Sequence, residues 1–296
     1  MAEYTKQHPS LEEIQMYEEV LDKIADTYNP TFRRLILPKS IKTDKGNLIL
    51  IMPDYTAENY EGETFNSKWN VALGGSEFGN YLADEIPDIV FDLSVVDTSI
   101  VYENEILKQS NKLEFRTDEY LNEFKDVTDL FCKHGQLNND EVAKAERIVS
   151  KAFPQKTILS NADFYPRNFI RLPTGKIVLI DWDTWSSRQY PRRCKYVLDH
   201  IENVAAHCFV HMWDNSPWQQ IFVQQLRIRF TNMQPEDFQR ALLINSLGMA
   251  HWFGVDGNKN LKQNGPEIND ISACQKQLIL FKEGLKDEFI IKIWGK

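Results

Sequence analysis

Three polar residues near the middle of the chain have the types and the spacing of a metal-assisted reaction site. Asp163 precedes Asn168 by five residues, and Asp181 follows Asn168 by thirteen. Carboxylate and carboxamide oxygens suit Mg²⁺, and a carboxylate beside an acceptor hydroxyl can take its proton. Phosphoryl transfer otherwise needs little from a protein beyond positioned phosphates and an oriented acceptor. The three residues therefore predict a site for phosphoryl transfer from a Mg²⁺-bound nucleotide.

The neighbouring sequence predicts the elements that would position these residues. The apolar stretch 177–180 follows a Pro-Thr-Gly turn and predicts a strand that ends at Asp181. Residues 157–159 predict a second short strand, which leads into a loop over residues 161–168. A loop that lies against the end of the strand would bring the two carboxylates and the carboxamide together.

The two segments resemble the aminoglycoside phosphotransferase and choline kinase family. Asp163-Phe164-Tyr165-Pro166-Arg167-Asn168 and Ile180-Asp181-Trp182 match its pattern His-Gly-Asp-x-x-x-x-Asn, then Ile-Asp-Trp/Phe-Glu. The family consists of small-molecule kinases with a protein-kinase-like fold. The resemblance implies that Asp163 is the catalytic base, that Asn168 is a metal ligand and that Asp181 is the main metal ligand. It also implies ATP and Mg²⁺ as cofactors, and a small-molecule hydroxyl as the acceptor.

Two positions depart from the family's pattern. Asn161 stands where the family has His, and Ala162 stands where it has Gly. The family's His is mainly structural, so we expect Asn161 to replace its hydrogen bonds. The departures keep an alternative open, in which the chain is a catalytically impaired pseudokinase that acts as a nucleotide-binding or scaffold protein.

The N-terminal segment carries weaker signals of the same fold. Ser10 and Glu13 fit a capping box that opens a helix down to about residue 25. Residues 32–37 and 48–52 predict the two strands of a hairpin around a turn at 43–47. The resemblance implies that Glu13 pairs with a strand lysine, for which Lys6 is the candidate, and that Met52 begins the hinge beside the adenine.

Only nine residues precede this helix. They are too few for two strands and the Gly-rich phosphate loop that kinases of this type carry. Either the chain is a fragment or a mis-started frame, or the lobe is truly reduced. We therefore expect an α+β, protein-kinase-like fold with two domains. Residues 1–55 would form a truncated N-terminal lobe of helix plus β-hairpin with the hinge, and residues 56–296 a mainly helical C-terminal lobe.

Helical periodicity dominates the larger part of the chain. The predicted helices cover residues 69–86, 118–132, 139–152, 193–210, 218–231, 235–253 and 270–294. His207 and His211 are four residues apart on one of them, as in a metal-binding pair. Without an accompanying HExxH motif, a core or groove position is favoured. Aromatic residues after residue 199 suit either the core or the acceptor pocket of the resembled family; they are Phe209, Trp213, Trp218, Trp252 and Phe253.

Composition limits the classes of partner. The chain has 296 residues with 34 basic and 43 acidic side chains, a formal charge of −9, which argues against a general nucleic-acid binder. No apolar run reaches the roughly 18 residues of a membrane span, and the polar N-terminus lacks a signal-peptide core. The four cysteines form no CxxC pair, which favours reduced thiols in a cytoplasmic protein. The identity of the acceptor and the oligomeric state stay open.

Overall fold

The structure, a computed structural model, divides into two compact units. It describes residues 3–6, 9–55, 63–64, 76–105, 117–151, 157–161, 163–164, 168–182, 197–213, 218–255 and 268–295. Unit 1 comprises Met1–Phe115 and Thr157–Ile201, and unit 2 comprises Arg116–Lys156 and Glu202–Lys296. Every described strand lies in unit 1, whereas the described elements of unit 2 are helices, so the architecture is α+β.

The described part of unit 1 contains three small sheets. Its strands are β1 (Glu3–Lys6), β2 (Leu35–Ile36), β3 (Lys42–Asp44), β4 (Ile49–Pro53), β5 (Glu63–Thr64), β6 (Thr157–Leu159), β7 (Phe169–Arg171), β8 (Ile177–Leu179) and β9 (Leu198–His200). The strand orders are β1-β4-β3, β2-β8-β7-β5 and β6-β9. Its helices are α1 (Leu11–Met16), a π-helical turn (Tyr17–Leu21), α2 (Asp22–Tyr28), α3 (Ser76–Ser94) and α4 (Ser99–Glu103). The four-stranded sheet contains β7 and β8, which lie between Asn168 and Asp181 in the sequence.

The N-terminal hairpin has a different first strand from the predicted one. β3 pairs antiparallel with β4, with Thr43 opposite Leu50, whereas β2 pairs parallel with β8 in another sheet. The prediction that residues 32–37 form the first strand of the hairpin was therefore wrong. A tertiary contact explains the difference, because the buried Asp92 carboxylate accepts hydrogen bonds from the backbone N–H groups of Arg33, Arg34 and Leu35. These donors hold the segment against α3.

The helix after β1 begins where its sequence predicts. The Ser10 hydroxyl accepts a hydrogen bond from the Glu13 N–H at 3.0 Å, which satisfies one donor of the first turn. Ile14, Val20 and Ile24 form its buried apolar stripe. The five-residue π-helical turn in the middle was not predicted, and turns of this kind are frequent near functional sites.

Unit 2 is built from long amphipathic helices. They are α5 (Thr117–Lys133), α6 (Asn139–Val149), α7 (Ile201–Met212), α8 (Trp218–Arg229), α9 (Pro235–Gly254), α10 (Ile268–Gly284) and α11 (Asp287–Trp294). Ile201, the first residue of α7, belongs to unit 1. Asn138 caps α6 in a complete capping box with Glu141. The Phe209 ring packs against Phe222 and Phe238 at centroid distances of 5.8 and 5.5 Å, which places an aromatic cluster in the core.

Three predicted helices were wrong in their extent. The helix predicted over residues 69–86 continues to Ser94. Residues 198–200, placed in a helix by periodicity, form β9, which pairs antiparallel with β6. The segment predicted as one helix over residues 270–294 forms two helices, because Leu285 and Lys286 between α10 and α11 are not helical. Among the described helices, none combines the length and the apolar character that crossing a membrane requires.

Candidate active site

Asn161 connects the predicted catalytic loop to the strand that leads to Asp181. Its side chain is fully buried, and its amide nitrogen donates to the carbonyl oxygens of Asp163 at 3.2 Å and Ile180 at 3.1 Å. Its side-chain oxygen accepts from the Asp163 N–H at 3.3 Å. A buried carboxamide that uses both of its ends holds two backbone segments in a defined register. Asn161 thus joins the loop at Asp163 to the end of β8 at Ile180.

Asn168 contacts Asp163 directly. The Asn168 amide nitrogen lies 2.8 Å from the Asp163 carbonyl oxygen and 3.0 Å from the Asp163 Oδ2. A carbonyl oxygen can only accept, so the positions of the Asn168 amide nitrogen and of its Oδ1 are assigned. The Asn168 carbonyl accepts from the Ile180 N–H at 2.8 Å. The loop and the end of β8 are therefore joined on both sides of Asn168.

Asp181 follows β8 in a left-handed backbone conformation. Its φ angle is +66°, a region that Asp and Asn tolerate better than other residues with a Cβ atom. Such strained conformations cluster at functional sites, because only the surrounding structure can hold them. Here the next residue helps to stabilise the conformation of Asp181, because the buried Trp182 indole N–H donates to the Leu179 carbonyl at 2.6 Å.

Packing beneath the loop fixes its position in unit 1. The buried Phe164 ring meets the Phe169 ring edge-to-face, with the centroids 5.0 Å apart. β8, in turn, lies between β2 and β7, so Asp181 emerges from the centre of a four-stranded sheet. Asp183 and residues 162 and 165–167 lie outside the described residues.

Two of the N-terminal candidates, Lys6 and Glu13, also come together within unit 1. The Lys6 ammonium lies 2.5 Å from the Glu13 Oε1, and the side chains are 19% and 5% exposed. Lys6 ends β1 opposite Leu50 of β4, and Glu13 lies in the first turn of α1. Met52 is a half-buried residue of β4 that pairs with Tyr4. A lysine on a strand beside a glutamate on a helix is the arrangement that the resemblance implies for the phosphate-binding lysine.

The donor set of the middle segment fits Mg²⁺. Asp181 offers a carboxylate and Asn168 a carboxamide oxygen, and both are hard oxygen ligands of the kind that Mg²⁺ takes in nucleotide sites. Two protein oxygens are enough, because phosphate oxygens and water complete the octahedral shell in such sites. These residues could therefore hold the metal of a metal–nucleotide complex.

Sequence reasoning missed a buried acid in unit 1. Glu85 of α3 is 4% exposed, and its carboxylate oxygens lie 3.9 Å from Arg34 and 3.8 Å from Arg171. Burial raises the pKa of this carboxyl to about 7, Arg34 opposes the rise, and neighbouring acidic residues add to it. The sequence held a signal, since Glu85 and Asp92 are seven residues apart and therefore share one face of a helix.

The late aromatic residues divide between core and surface. Phe209, Trp213 and Trp218 are buried, and the Phe209 and Trp218 rings lie 5.8 Å apart. The Trp252 side chain, in contrast, is 48% exposed. Core packing therefore accounts for the first three, and Trp252 stays a candidate for contact with another molecule.

Comparison with known proteins identifies the fold. No protein-family model matches the sequence, and no curated protein shows significant similarity to it. A choline/ethanolamine kinase family protein from Mesorhizobium loti matches with a TM-score of 0.55 and 11% identity, over 95% of this chain and 83% of that one. A macrolide 2′-phosphotransferase type I matches at 0.52 and 13%, over 93% and 83%. A Plasmodium vivax ethanolamine kinase matches at 0.51 and 11%, over 90% and 72%.

These matches confirm the predicted fold class. The chain has the α+β, protein-kinase-like fold that small-molecule kinases and phosphotransferases share, with small sheets and a predominantly helical remainder. The resemblance recognised from the loop 163–168 and the strand end at Asp181 is confirmed at the level of the fold. Activity, cofactors and the roles of individual residues stay predictions.

Proposed function

We propose that this protein is an ATP- and Mg²⁺-dependent phosphotransferase that phosphorylates a hydroxyl group of a small molecule. One observation carries the proposal: Asn168 donates to the Asp163 carboxylate while its own backbone is bonded to Ile180, beside Asp181. A base, a carboxamide ligand and a carboxylate ligand are thus held by adjoining segments of one unit. Phosphoryl transfer in protein-kinase-like enzymes uses these three groups.

The acceptor end of the site is assigned to Asp163. Its half-buried carboxylate would accept the proton of the acceptor hydroxyl and orient the oxygen for in-line attack. The Asn168 amide, 3.0 Å from Oδ2, fixes the orientation of that carboxylate. Because its nitrogen makes this contact, the Asn168 Oδ1 would be the atom that binds the metal.

The nucleotide end is assigned to Asp181, Asn168, Lys6 and Met52. Asp181 and Asn168 would hold Mg²⁺, which would neutralise the phosphate charge that builds up during transfer. Lys6, oriented by the nearly buried Glu13, would contact the phosphates, and Met52 would lie beside the adenine. The Lys6–Glu13 pair supports this assignment, because orienting a flexible ammonium group lowers the entropy lost on binding.

Replacement of the proposed base tests the function. Asp163→Ala should lower kcat by about 10²- to 10⁴-fold towards hydroxyl acceptors such as choline, ethanolamine and aminoglycosides. Asp126→Ala, at an exposed position of α5, is the matched control and should leave kcat unchanged. Phosphate transfer from labelled ATP is the measurement, and thermal unfolding checks that both variants fold. Full turnover in Asp163→Ala would contradict the proposal.

A second candidate is a pseudokinase that binds nucleotide without transferring phosphate. Asn161 and Ala162, in place of the family's His and Gly, are the observation that favours it. Nucleotide affinity with and without Mg²⁺ distinguishes the two functions when it is combined with the acceptor panel. Mg²⁺-dependent binding that Asp181→Asn removes, without turnover of any acceptor, would favour the pseudokinase. Absence of nucleotide binding would contradict both.

A further inference from the structure

Two histidines on helix α7 of unit 2 lie with their Nε2 atoms facing each other. His207 and His211 are one helical turn apart, and their Nε2 atoms are 3.2 Å apart. The ring centroids are separated by 4.7 Å at an interplanar angle of 62°. His207 is 9% exposed and His211 is half-buried, so the pair is only partly open to solvent.

A hydrogen-bond chain behind the pair fixes the protonation of His207. The Asn245 amide nitrogen lies 2.9 Å from the Ala241 carbonyl oxygen and 2.7 Å from the Asn203 Oδ1. Since a backbone carbonyl can only accept, the orientation of the Asn245 carboxamide is assigned, and its oxygen faces the His207 Nδ1 at 3.2 Å. The His207 Nδ1 must therefore carry the proton. In the neutral ring this leaves a lone pair on Nε2, directed at His211.

We propose that His207 and His211 form a binding site for a divalent transition metal such as Zn²⁺, Ni²⁺ or Co²⁺. With Zn–N bonds of about 2.0–2.1 Å, tetrahedral geometry places two imidazole nitrogens about 3.3 Å apart. The observed separation of 3.2 Å is close to that value, so the two Nε2 atoms are spaced for one ion.

The chemistry of the site selects the class of metal. Imidazole nitrogen suits Zn²⁺, Ni²⁺, Cu²⁺ and Co²⁺, whereas Mg²⁺ prefers oxygen donors such as Asn168 and Asp181. A metal-binding histidine commonly donates its second N–H to an outer oxygen, which fixes the ring. The Asn245 oxygen has this position relative to His207. The proposed ligands and metal class differ from those of the Mg²⁺ site proposed at Asn168 and Asp181.

Without a metal, the same distance corresponds to a hydrogen bond from the His211 Nε2–H to the His207 Nε2. Metal binding requires the His211 proton to move to its Nδ1, so that both Nε2 atoms offer lone pairs. The proton stays on the same ring, and the net charge of the protein part does not change. The two states therefore differ in a measurable property, the protonation of the His211 Nε2.

Metal titration of matched variants tests the proposal. Protein freed of metals with EDTA should bind one equivalent of Ni²⁺ or Zn²⁺ by isothermal titration calorimetry. His211→Gln should raise the dissociation constant by at least about 10-fold, and Asn245→Ala should raise it by about 10- to 100-fold. His134→Gln, at an exposed position after α5, is the control and should bind as the parent does. Equal affinity and stoichiometry in His211→Gln and the parent would overturn the proposal.

A measurement on the unaltered protein covers the case in which a variant fails to fold. Zn²⁺ should shift the Nε2 resonances of two imidazole rings in the protein labelled with ¹⁵N-histidine. Bound Co²⁺ should show the visible bands of nitrogen ligation without sulfur-to-cobalt charge transfer. Unshifted imidazole resonances, or a thiolate charge-transfer band, would place the metal elsewhere and refute the His207–His211 site.

Discussion

Two regions of the molecule are held together by different physical means. In unit 1, the segment 161–182 relies on directional hydrogen bonds: the three bonds of Asn161, the two of Asn168 and the indole bond of Trp182. In unit 2, α9 packs on α10, and side chains of the facing helix lie close to Gly254 and Gly284. One region defines the orientation of polar groups, and the other mainly buries surface.

The difference shows where precision is needed. Apolar packing has no preferred direction, so it stabilises helices without orienting a carboxylate to a fraction of an ångström. Hydrogen bonds to backbone carbonyls do orient such groups, and they cost free energy when one partner is lost. Substitutions in the segment 161–182 should therefore change activity strongly, whereas substitutions between α9 and α10 should change stability and leave the site chemistry intact.

Within this comparison, the largest effect is expected at Asn161. Asn161→Ala removes three hydrogen bonds of a fully buried side chain and leaves the carbonyls of Asp163 and Ile180 without them. Each such loss costs about 1–3 kcal/mol, and we expect kcat of the proposed transfer reaction to fall about 100-fold because the loop shifts relative to Asp181.

Two companion variants make this test specific. Asn161→His should restore most of the activity, because histidine is the residue of the resembled family at this position. Asn232→Ala, at an exposed position, should change neither kcat nor the melting temperature. Steady-state kinetics and thermal unfolding are the measurements, and an Asn161→Ala variant with parental kcat would remove the distinction between the two regions.

A smaller effect, on stability alone, is expected at Gly254. A Cβ atom there would lie 2.3 Å from the Cys274 Sγ and 3.1 Å from its Cβ, so the Cys274 side chain or the helices must shift. Gly254→Ala should lower the free energy of unfolding by about 2 kcal/mol, as overpacking does elsewhere. Urea unfolding measures the change, and Gly46→Ala is the control, because a Cβ there meets only the Asp44 carboxylate at 3.4 Å. A clearly lower kcat in the folded Gly254→Ala variant would count against the comparison.

The smallest effect is a pH dependence of stability due to Glu85. Its pKa in the folded state, about 7, lies above the ordinary 4.5, because burial disfavours the charge. Between pH 4.5 and 7 the folded chain thus binds more protons at this carboxyl than the unfolded chain, so this group lowers stability as pH rises. Glu85→Gln should remove that decrease.

The Glu85→Gln variant should be more stable than the parent at pH 8 by about 1 kcal/mol, less than the full shift implies, because its arginine partners are partly hydrated. At pH 4.5 the two proteins should differ little, since the parental carboxyl is then protonated in the folded state and about half protonated in the unfolded state. Urea unfolding at both pH values measures this, with the exposed Glu103→Gln as the control. Equal stabilities at pH 8 would show that the carboxylate is adequately solvated or compensated by Arg34.

Sequence patterns predicted the local elements of both regions well. The 3.6-residue periodicity located α5, α6, α8 and α9 within two or three residues of their ends, because each helix buries one continuous stripe. It could not separate β9 from α7, since a three-residue strand exists only through its pairing with β6. It also could not show that Asp92 holds residues 33–35 against α3.

By itself, the sequence determined the identity and spacing of Asp163, Asn168 and Asp181, the strand before Asp181, and the resemblance that predicted the fold. These depend on local chemistry and short-range periodicity, which a linear pattern records. Only the tertiary structure decided that Asn161 bonds Ile180, that Lys6 meets Glu13, that Glu85 is buried, and that Asn245 orients His207. The reason is physical: distances, burial and hydrogen-bond direction arise from segments far apart in the chain, and no spacing rule encodes them.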